Sequence, residues 1–387
     1  MSIYELQAPT KWAVPPPMWS STTIDEVDAC PRRWQLLNSA WGEYDRFPLR
    51  PSSAAIEGQI VHDALDRLAR ACGQRGNPPF GSAEFSVAAS DADFFPGFSR
   101  SVLKWKDKLA AHPRPGPSFR LRATPEELAN RAVRLFREQY QPDGRGCIAS
   151  MVAERAPGAN SEVKALLRQR RALSEVKVRH PALPFLGILD RIQLSADGIE
   201  IIDFKTGKPN ERHRRQLLRY ALLWWRLTGD LPSRIRAQYL DGSESWLVNQ
   251  DDLEKVEQGL STMVPHLTET LRFRPSVAKP SNGCHWCPVR AYCNEGWAVG
   301  EEAARADRRG DAELFVMESS GPCGFLARSR AGEEVAVVFE AAIASLLPER
   351  MLGETVRVMD GVWREKQSQL EIKAWTEIFV VDACCRL

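Results

Sequence analysis

The stretch "LDRIQLSADGIEIIDFK", residues 189–205, constrains the fold more than any other part of the chain. Two apolar-rich runs flank Ser195-Ala196-Asp197-Gly198, a turn of the kind that closes β-hairpins. If Leu194 pairs with Ile199, partner numbers sum to 393, and 190 and 203 give the same sum. Asp190 then lies across from Asp203, with Cβ atoms ~4.5–5.5 Å apart. Side chains alternate along a strand, so Lys205 shares the face of Asp203. Facing carboxylates repel unless a cation sits between them, and hard oxygen ligands favour Mg²⁺ or Mn²⁺. Lys205 can hold an attacking hydroxide or offset charge on a scissile phosphate. The plainer reading is a strand leaving the core with its last charges solvated, so the rest of the chain must decide.

Upstream, "AAIEGQIVHDALDRLARA" (54–71) has the apolar stripe of an amphipathic helix. His62 borders that stripe, and Gly58, one turn earlier, leaves room beside the imidazole for a metal or a phosphate. Alone, His62 reads more readily as a capped or solvated helix histidine than as a ligand. Downstream, Gln216 and Tyr220 are four apart on one helix face with Arg212 and Arg219. Residues 205–219 hold six basic groups, Lys205, Lys208, Arg212, Arg214, Arg215 and Arg219, against the single acid Glu211. Such a surface attracts phosphate. Lys208, Arg212, Arg215 and Arg219 are the candidate DNA contacts.

Taken in order, Gly58-x-x-x-His62, Gly187-x-x-Asp190-Arg191, Asp203-Phe204-Lys205-Thr206-Gly207 and Gln216-x-x-x-Tyr220 resemble the nuclease core of the PD-(D/E)XK superfamily. The branch they resemble is that of RecB-type exonuclease domains and their CRISPR-associated relatives. The resemblance implies a restriction-endonuclease-like α/β core, a mixed sheet flanked by helices, that binds Mg²⁺ or Mn²⁺ and hydrolyses DNA. It further implies that His62, Asp190 and Asp203 ligate the metal. Lys205 is then the catalytic lysine, with Gln216 and Tyr220 orienting DNA or the active site. Asp203 stands where many members carry Glu, a form usual in this branch.

Cys284, Cys287 and Cys293 follow a C-x2-C-x5-C spacing. A two-residue gap lets both thiolates turn onto one metal centre. A fourth ligand can come from Cys30, Cys72, Cys147, Cys323, Cys384 or Cys385; Cys30 is preferred, because the arginines after it would stabilise a thiolate cluster. Thiolate tetrads suit zinc and iron–sulfur alike. The iron–sulfur members of the RecB-like branch are similar in placing one cysteine before the core and three after it. That likeness implies a 4Fe–4S cluster on Cys30, Cys284, Cys287 and Cys293, stapling the ends of the domain. His285 and Trp286 are expected to shield it.

The expected organisation is a nuclease domain over 1–305, with an irregular Gly- and Pro-rich insertion at 73–118, and a small OB-like β-barrel over 311–387. Net charge is +2 overall, yet residues 311–387 carry 13 Asp/Glu against 8 Lys/Arg, a sum of −5. Trp363, Trp375 and Phe325 can stack bases or fill the barrel core, and the acidity suits protein docking, to a helicase or another partner, or autoinhibition. No apolar run approaches the ~20 residues of a membrane helix, and the N-terminus lacks an export pattern, so a cytoplasmic protein without membrane partners is expected. The substrate expected is DNA, single-stranded or with free ends. The rival to an enzyme is a non-catalytic DNA-binding or scaffolding subunit of a helicase–nuclease complex.

Overall fold

The computed structural model describes residues 2–4, 8–76, 78–110, 112, 114, 120–139, 151–153, 159–170, 172–205, 208–239, 242–304, 309–340, 351–364 and 368–381. At its centre is a mixed six-stranded sheet in the spatial order β2 (Met151–Ala153), β3 (Ala172–Arg179), β4 (Leu186–Ser195), β5 (Gly198–Lys205), β6 (Arg234–Tyr239) and β7 (Gly242–Leu247). The β2–β3 and β5–β6 pairs are parallel, the others antiparallel. Parallel neighbours need a crossover, and α8 (Glu211–Thr228) supplies the one between β5 and β6. Asn210 caps its start, and Gly229, at φ +77°, ends it in the left-handed conformation. Leu217, Ala221, Leu222 and Trp224 of α8 are buried in one core with Leu189, Ile192 and Ile201 of the sheet. Helices α1 (Ser21–Ala29), α7 (Ala159–Arg170) and α9 (Gln250–Thr270) join the same core.

Residues 21–38, readable from the sequence as one helix, are two. Pro31 disfavours a helical residue before it, and Cys30 is extended (φ −163°, ψ 103°) between α1 and α2 (Pro31–Asn38). The expectation of an irregular insertion at 73–118 is corrected more broadly. Helices α4 (Ala83–Asp91) and α5 (Phe94–Ala110) fill much of it and pack with α3 (Ser53–Gln74) and α6 (Pro125–Gln139) around a second core. The Ser82 hydroxyl accepts the Phe85 N–H at 3.1 Å to start α4. Phe94, Phe98 and Val102 recur at helical spacing into that core. Gly76, Pro78, Pro79 and Gly81 gather ahead of α4, so a composition that suggests loop marks a helix boundary instead.

After α10 (Asn294–Ala304) come β8 (Arg309–Ser319), β9 (Gly324–Ser329), β10 (Glu334–Phe339), β11 (Thr355–Arg364), β12 (Gln369–Ile372) and β13 (Glu377–Val380). Strands β8, β9, β10, β12 and β11 close a five-stranded barrel, with β10 and β12 parallel. The run 370–381, readable as one strand, is split at Lys373–Thr376, and β13 leaves the barrel to pair with β11 and with β1 (Ser2–Tyr4) at the N-terminus. The helix-like run "EAAIASLLPERM" (340–351) falls mostly on residues outside those described. Phe325 is buried in the barrel core, whereas Trp375 is exposed beneath the Arg309 guanidinium, 5.1 Å from its ring centroid.

Part of the acidity of the barrel turns inward. Glu377 receives Arg114 at 2.5 and 2.9 Å and Arg50 at 2.9 Å. Asp311 receives Arg290 at 2.6 and 3.0 Å, Asp360 receives Arg290 and Arg50, and Glu313 pairs with Arg357. Asp360 reaches both arginines from a bulge in β11, where its φ is +60°. Asp311, Asp360 and Glu377 thereby tie the C-terminal strands to arginines of the rest of the chain, and Glu313 holds Arg357 within the barrel, so these four do not form a free acidic surface for an outside partner. Removing one member of a buried ion pair leaves the other uncompensated. Glu377→Gln should therefore cost about 3 kcal/mol, read as a lower urea midpoint.

Candidate functional site

Strands β4 and β5 pair in the expected register, from Ser195–Gly198 to Arg191–Ile202, and there the ladder stops. The next partners would be Asp190 and Asp203. Asp190 Oδ2 instead accepts the backbone N–H of Phe204 at 2.9 Å, while β5 continues along β6 as far as Lys205–Tyr239. The ladder on the other side of β4 skips the same place: Ser174–Arg191 and Val176–Leu189 pair, but Glu175 and Asp190 do not. Glu175 has φ +52°, a conformation rare outside glycine. A regular strand buries residues two apart, yet Leu173 and Val176, and likewise Leu189 and Ile192, enter one core three apart. Each strand switches its inward face at the acidic residue. The result is a fork whose mouth holds Asp190, Asp203 and Glu175.

Burial, and then the charge of Asp203, push the Asp190 carboxyl well above the ordinary carboxylate range. Asp203, 2% exposed, is also raised by burial, with Lys205 acting against the shift. Lys205 Nζ lies 2.5 Å from Asp203 Oδ2. Although Glu175 is exposed as a residue, desolvation around its carboxyl group and the charges of Asp66 and Asp203 raise it too. Glu175 and Asp66 were not among the sequence candidates. The signal for Glu175 was available in principle, because its number and that of Asp190 share the β3–β4 register sum, 365.

Helix α8 closes one side of the fork. Lys205 Nζ donates to Gln216 Oε1 at 2.8 Å, and Gln216 Nε2 donates to the Tyr220 hydroxyl at 2.6 Å. Burial raises the Tyr220 phenol above its ordinary value, which keeps it protonated. Gly187 explains itself here: a Cβ at that position would stand 2.8 Å from both Tyr220 Cε1 and Leu223 Cδ1. Lys208, Arg212 and Arg215 are exposed. Arg219 is a correction: it is buried and binds the Ser21 carbonyl and hydroxyl and Asp25 at 2.8–3.1 Å, tying α8 to α1 rather than facing a phosphate. His62 is exposed on α3, one turn before Asp66, and a Cβ at Gly58 would meet open space. The charge of Asp66 is felt at Glu175, which places this residue of α3 within electrostatic reach of the acidic group.

A family model of the PD-(D/E)XK nuclease superfamily matches residues 18–294, which spans the whole of this fork and most of the chain. The chain belongs to the PD-(D/E)XK nuclease superfamily. No curated protein matches it. Among solved structures, the tetrameric p202 HIN2 is similar at 19% identity over 19% of this chain and 42% of that one, less than half its length. The TM-score of 0.17 is too low to carry an argument. Members of this superfamily are typically metal-dependent nucleases. Among the described residues no three His, Cys, Asp or Glu side chains stand close enough to share one ion. The oxygen donors of Asp190 and Asp203 nonetheless fit a hard divalent cation. Their repulsion is what such an ion relieves, and the Lys205 ammonium already supplies part of that positive charge.

The superfamily domain carries a second constellation. Cys30, Cys284, Cys287 and Cys293 line one cavity, with Arg32, Arg33 and Lys279 at its wall. Each sulfur faces a backbone N–H. Cys30 Sγ accepts from Arg33 at 3.5 Å, Cys284 from Ser281 at 3.4 Å, Cys293 from Gly296 at 3.4 Å, and Cys287 from Val289. Such donors favour thiolate, yet burial outweighs them, holding the Cys287 thiol above its ordinary value and the Cys293 thiol at about 11. Thiolates suit a metal centre by their chemistry and the four share one cavity, although among the described residues no three of them stand close enough to share a single ion. Trp286 is 82% exposed, which corrects its expected role as a shield. Cys72 is buried in the α3–α6 core, and Cys147, Cys384 and Cys385 lie outside the described residues.

Two outcomes are expected from this geometry. The folded-state pKa of Asp190 is raised, so its ionisation destabilises the metal-free fold as pH climbs from the ordinary carboxylate value through the folded one. Asp190→Asn keeps an acceptor for the Phe204 N–H, and without metal it should melt higher than wild type above that window. The advantage should vanish in acid, as thermal scans across pH would show. Gly187→Ala should cost about 1–3 kcal/mol by overpacking, measured by denaturant titration, because the Tyr220 ring and Leu223 must move.

Proposed function

We propose that the chain is a Mg²⁺- or Mn²⁺-dependent deoxyribonuclease that hydrolyses phosphodiester bonds. In this reading it is an exonuclease preferring single strands or ends, and works in recombination, repair or phage-defence processing. The observation that carries the reading is the fork itself: the β4–β5 ladder breaks at the pair where two carboxyl groups, a lysine and a glutamine converge. Asp190 and Asp203 would hold the ion, with Glu175 at the same mouth and His62 as a ligand that an approach of α3 would add. When bound, the ion supplies a Lewis acid for the phosphate. Lys205 offsets charge on the attacked phosphoryl group and hydrogen-bonds the incoming water. Gln216, held by Tyr220, fixes the direction of that ammonium. Exposed Lys208, Arg212 and Arg215 would draw the DNA backbone toward the fork.

We further propose that Cys30, Cys284, Cys287 and Cys293 hold a 4Fe–4S cluster, with zinc as the rival. The common cavity and the four N–H donors support a thiolate centre, and the choice of iron rests on the family resemblance. Residues 1–305 then form the nuclease domain and 311–387 its docked barrel.

The test is cleavage of end-labelled single- and double-stranded DNA by anaerobically purified protein, with Mg²⁺ or Mn²⁺. Lys205→Ala and Asp203→Ala should each lose about 100-fold or more in rate. The ladder of products reports end preference. A metal-loaded wild type that cuts no better than Asp203→Ala would leave the scaffold reading standing in its place.

A further inference from the structure

The segment that carries Cys287 and Cys293 is bolted to the barrel by two buried arginines. Arg357 on β11, 2% exposed, donates to Glu313 at 2.8 Å, to the Ala291 carbonyl at 2.7 Å and to Asn294 Oδ1 at 2.8 Å. Arg290, 4% exposed, donates back to the Cys287 carbonyl at 3.2 Å and outward to Asp311 and Asp360. Backbone groups at Cys287 and Ala291 and the side chain of Asn294 are thus fixed from β8 and β11. Met359, Phe379 and Val381 from the C-terminal strands pack in one apolar cluster with Cys287, Tyr292, Cys293 and Trp297. A guanidinium that forks between several acceptors tolerates little displacement of any of them.

We infer that Arg290 and Arg357 are positioning residues for the metal centre of the cysteines, so that the barrel holds two of the four sulfurs in place for the metal. This inference rests on the reading that those cysteines bind a metal. It gives the barrel a task that its fold alone would not suggest: it is the platform on which the cysteine segment is shaped. Linkage makes the effect reciprocal, so that a loaded centre also steadies the docked barrel.

The test uses the full chain, purified anaerobically as wild type, Arg357→Met, Arg357→Lys and Glu377→Gln. Iron, acid-labile sulfide and zinc are counted per chain, and then the rate at which a chelator strips the metal is followed by absorbance. Glu377→Gln loosens the same dock through Arg50 and Arg114, and so controls for lost stability. Arg357→Met should release metal about tenfold faster than wild type, the scale of losing a residue that orients a ligand. Arg357→Lys should fall between, since one ammonium cannot span Glu313, Ala291 and Asn294. Glu377→Gln should stay within about twofold of wild type although it melts lower. Equal retention in Arg357→Met and wild type overturns the inference, and so does equally fast loss in Glu377→Gln, which would make the effect general loosening. If Arg357→Met does not fold, Asn294→Ala replaces it: faster release than from Glu377→Gln supports the inference, and release at the wild-type rate overturns it. A wild-type chain free of iron, sulfide and zinc overturns the metal reading itself, before any variant is compared.

Discussion

The repulsion between two desolvated carboxyl groups is the interaction around which the nuclease fork is arranged. Asp190 and Asp203 occupy positions that a regular hairpin would set side by side, and the ladder ends one pair short of them. The backbone N–H of Phe204, the Lys205 ammonium and the neighbouring α8 all answer the charge placed there. None of these relieves it fully, because burial still holds both carboxyl groups above their ordinary range. A site that keeps unfavourable charge in a stable fold is poised for a cation. The same logic explains Glu175: a residue in a left-handed backbone conformation inside a strand is unfavourable, and the kink there turns the inward face of β3 at the level of the fork.

Opposite charge organises the junction between the barrel and the rest of the chain. Four acids of the C-terminal strands meet the buried Arg114, Arg290 and Arg357 and the half-buried Arg50, where apolar side chains of these strands also cover the cysteine segment. A net charge of −5 on residues 311–387 therefore says little about the outer surface of the barrel, since part of it is consumed inside. The N-terminal strand β1 adds a further tie by pairing with β13. Barrel, cysteine segment and chain start are thus held together, while the fork lies on the central sheet beside α8.

Much of this was legible in the sequence because its signals are local. The β4–β5 register followed from a short turn between alternating runs, and Gln216 and Tyr220 share a helix face by spacing alone. The Cys-x2-Cys-x5-Cys run announced itself, whereas residues 21–38 read as one helix although Pro31 breaks it at Cys30, whose sulfur caps the second. The misreadings were of another kind. Arg219 belongs to the same basic run as Arg215, and only the packing of α1 against α8 turns it inward to Asp25. Glycine and proline around residues 76–81 mark where α4 begins, and the surrounding helices, by burying Phe94 and Phe98, decide that the segment folds.

The sequence by itself determined the pairing of the two strands, the order of the motifs and the cysteine spacing, because each depends on residues close together in the chain. Tertiary structure decided where the ladder breaks, that Glu175 and Asp66 belong with the acidic group, and that the acids of the barrel face arginines from distant segments. Those outcomes depend on which surfaces meet and how much water they exclude. Charge placed by sequence acquires its energy only from that burial.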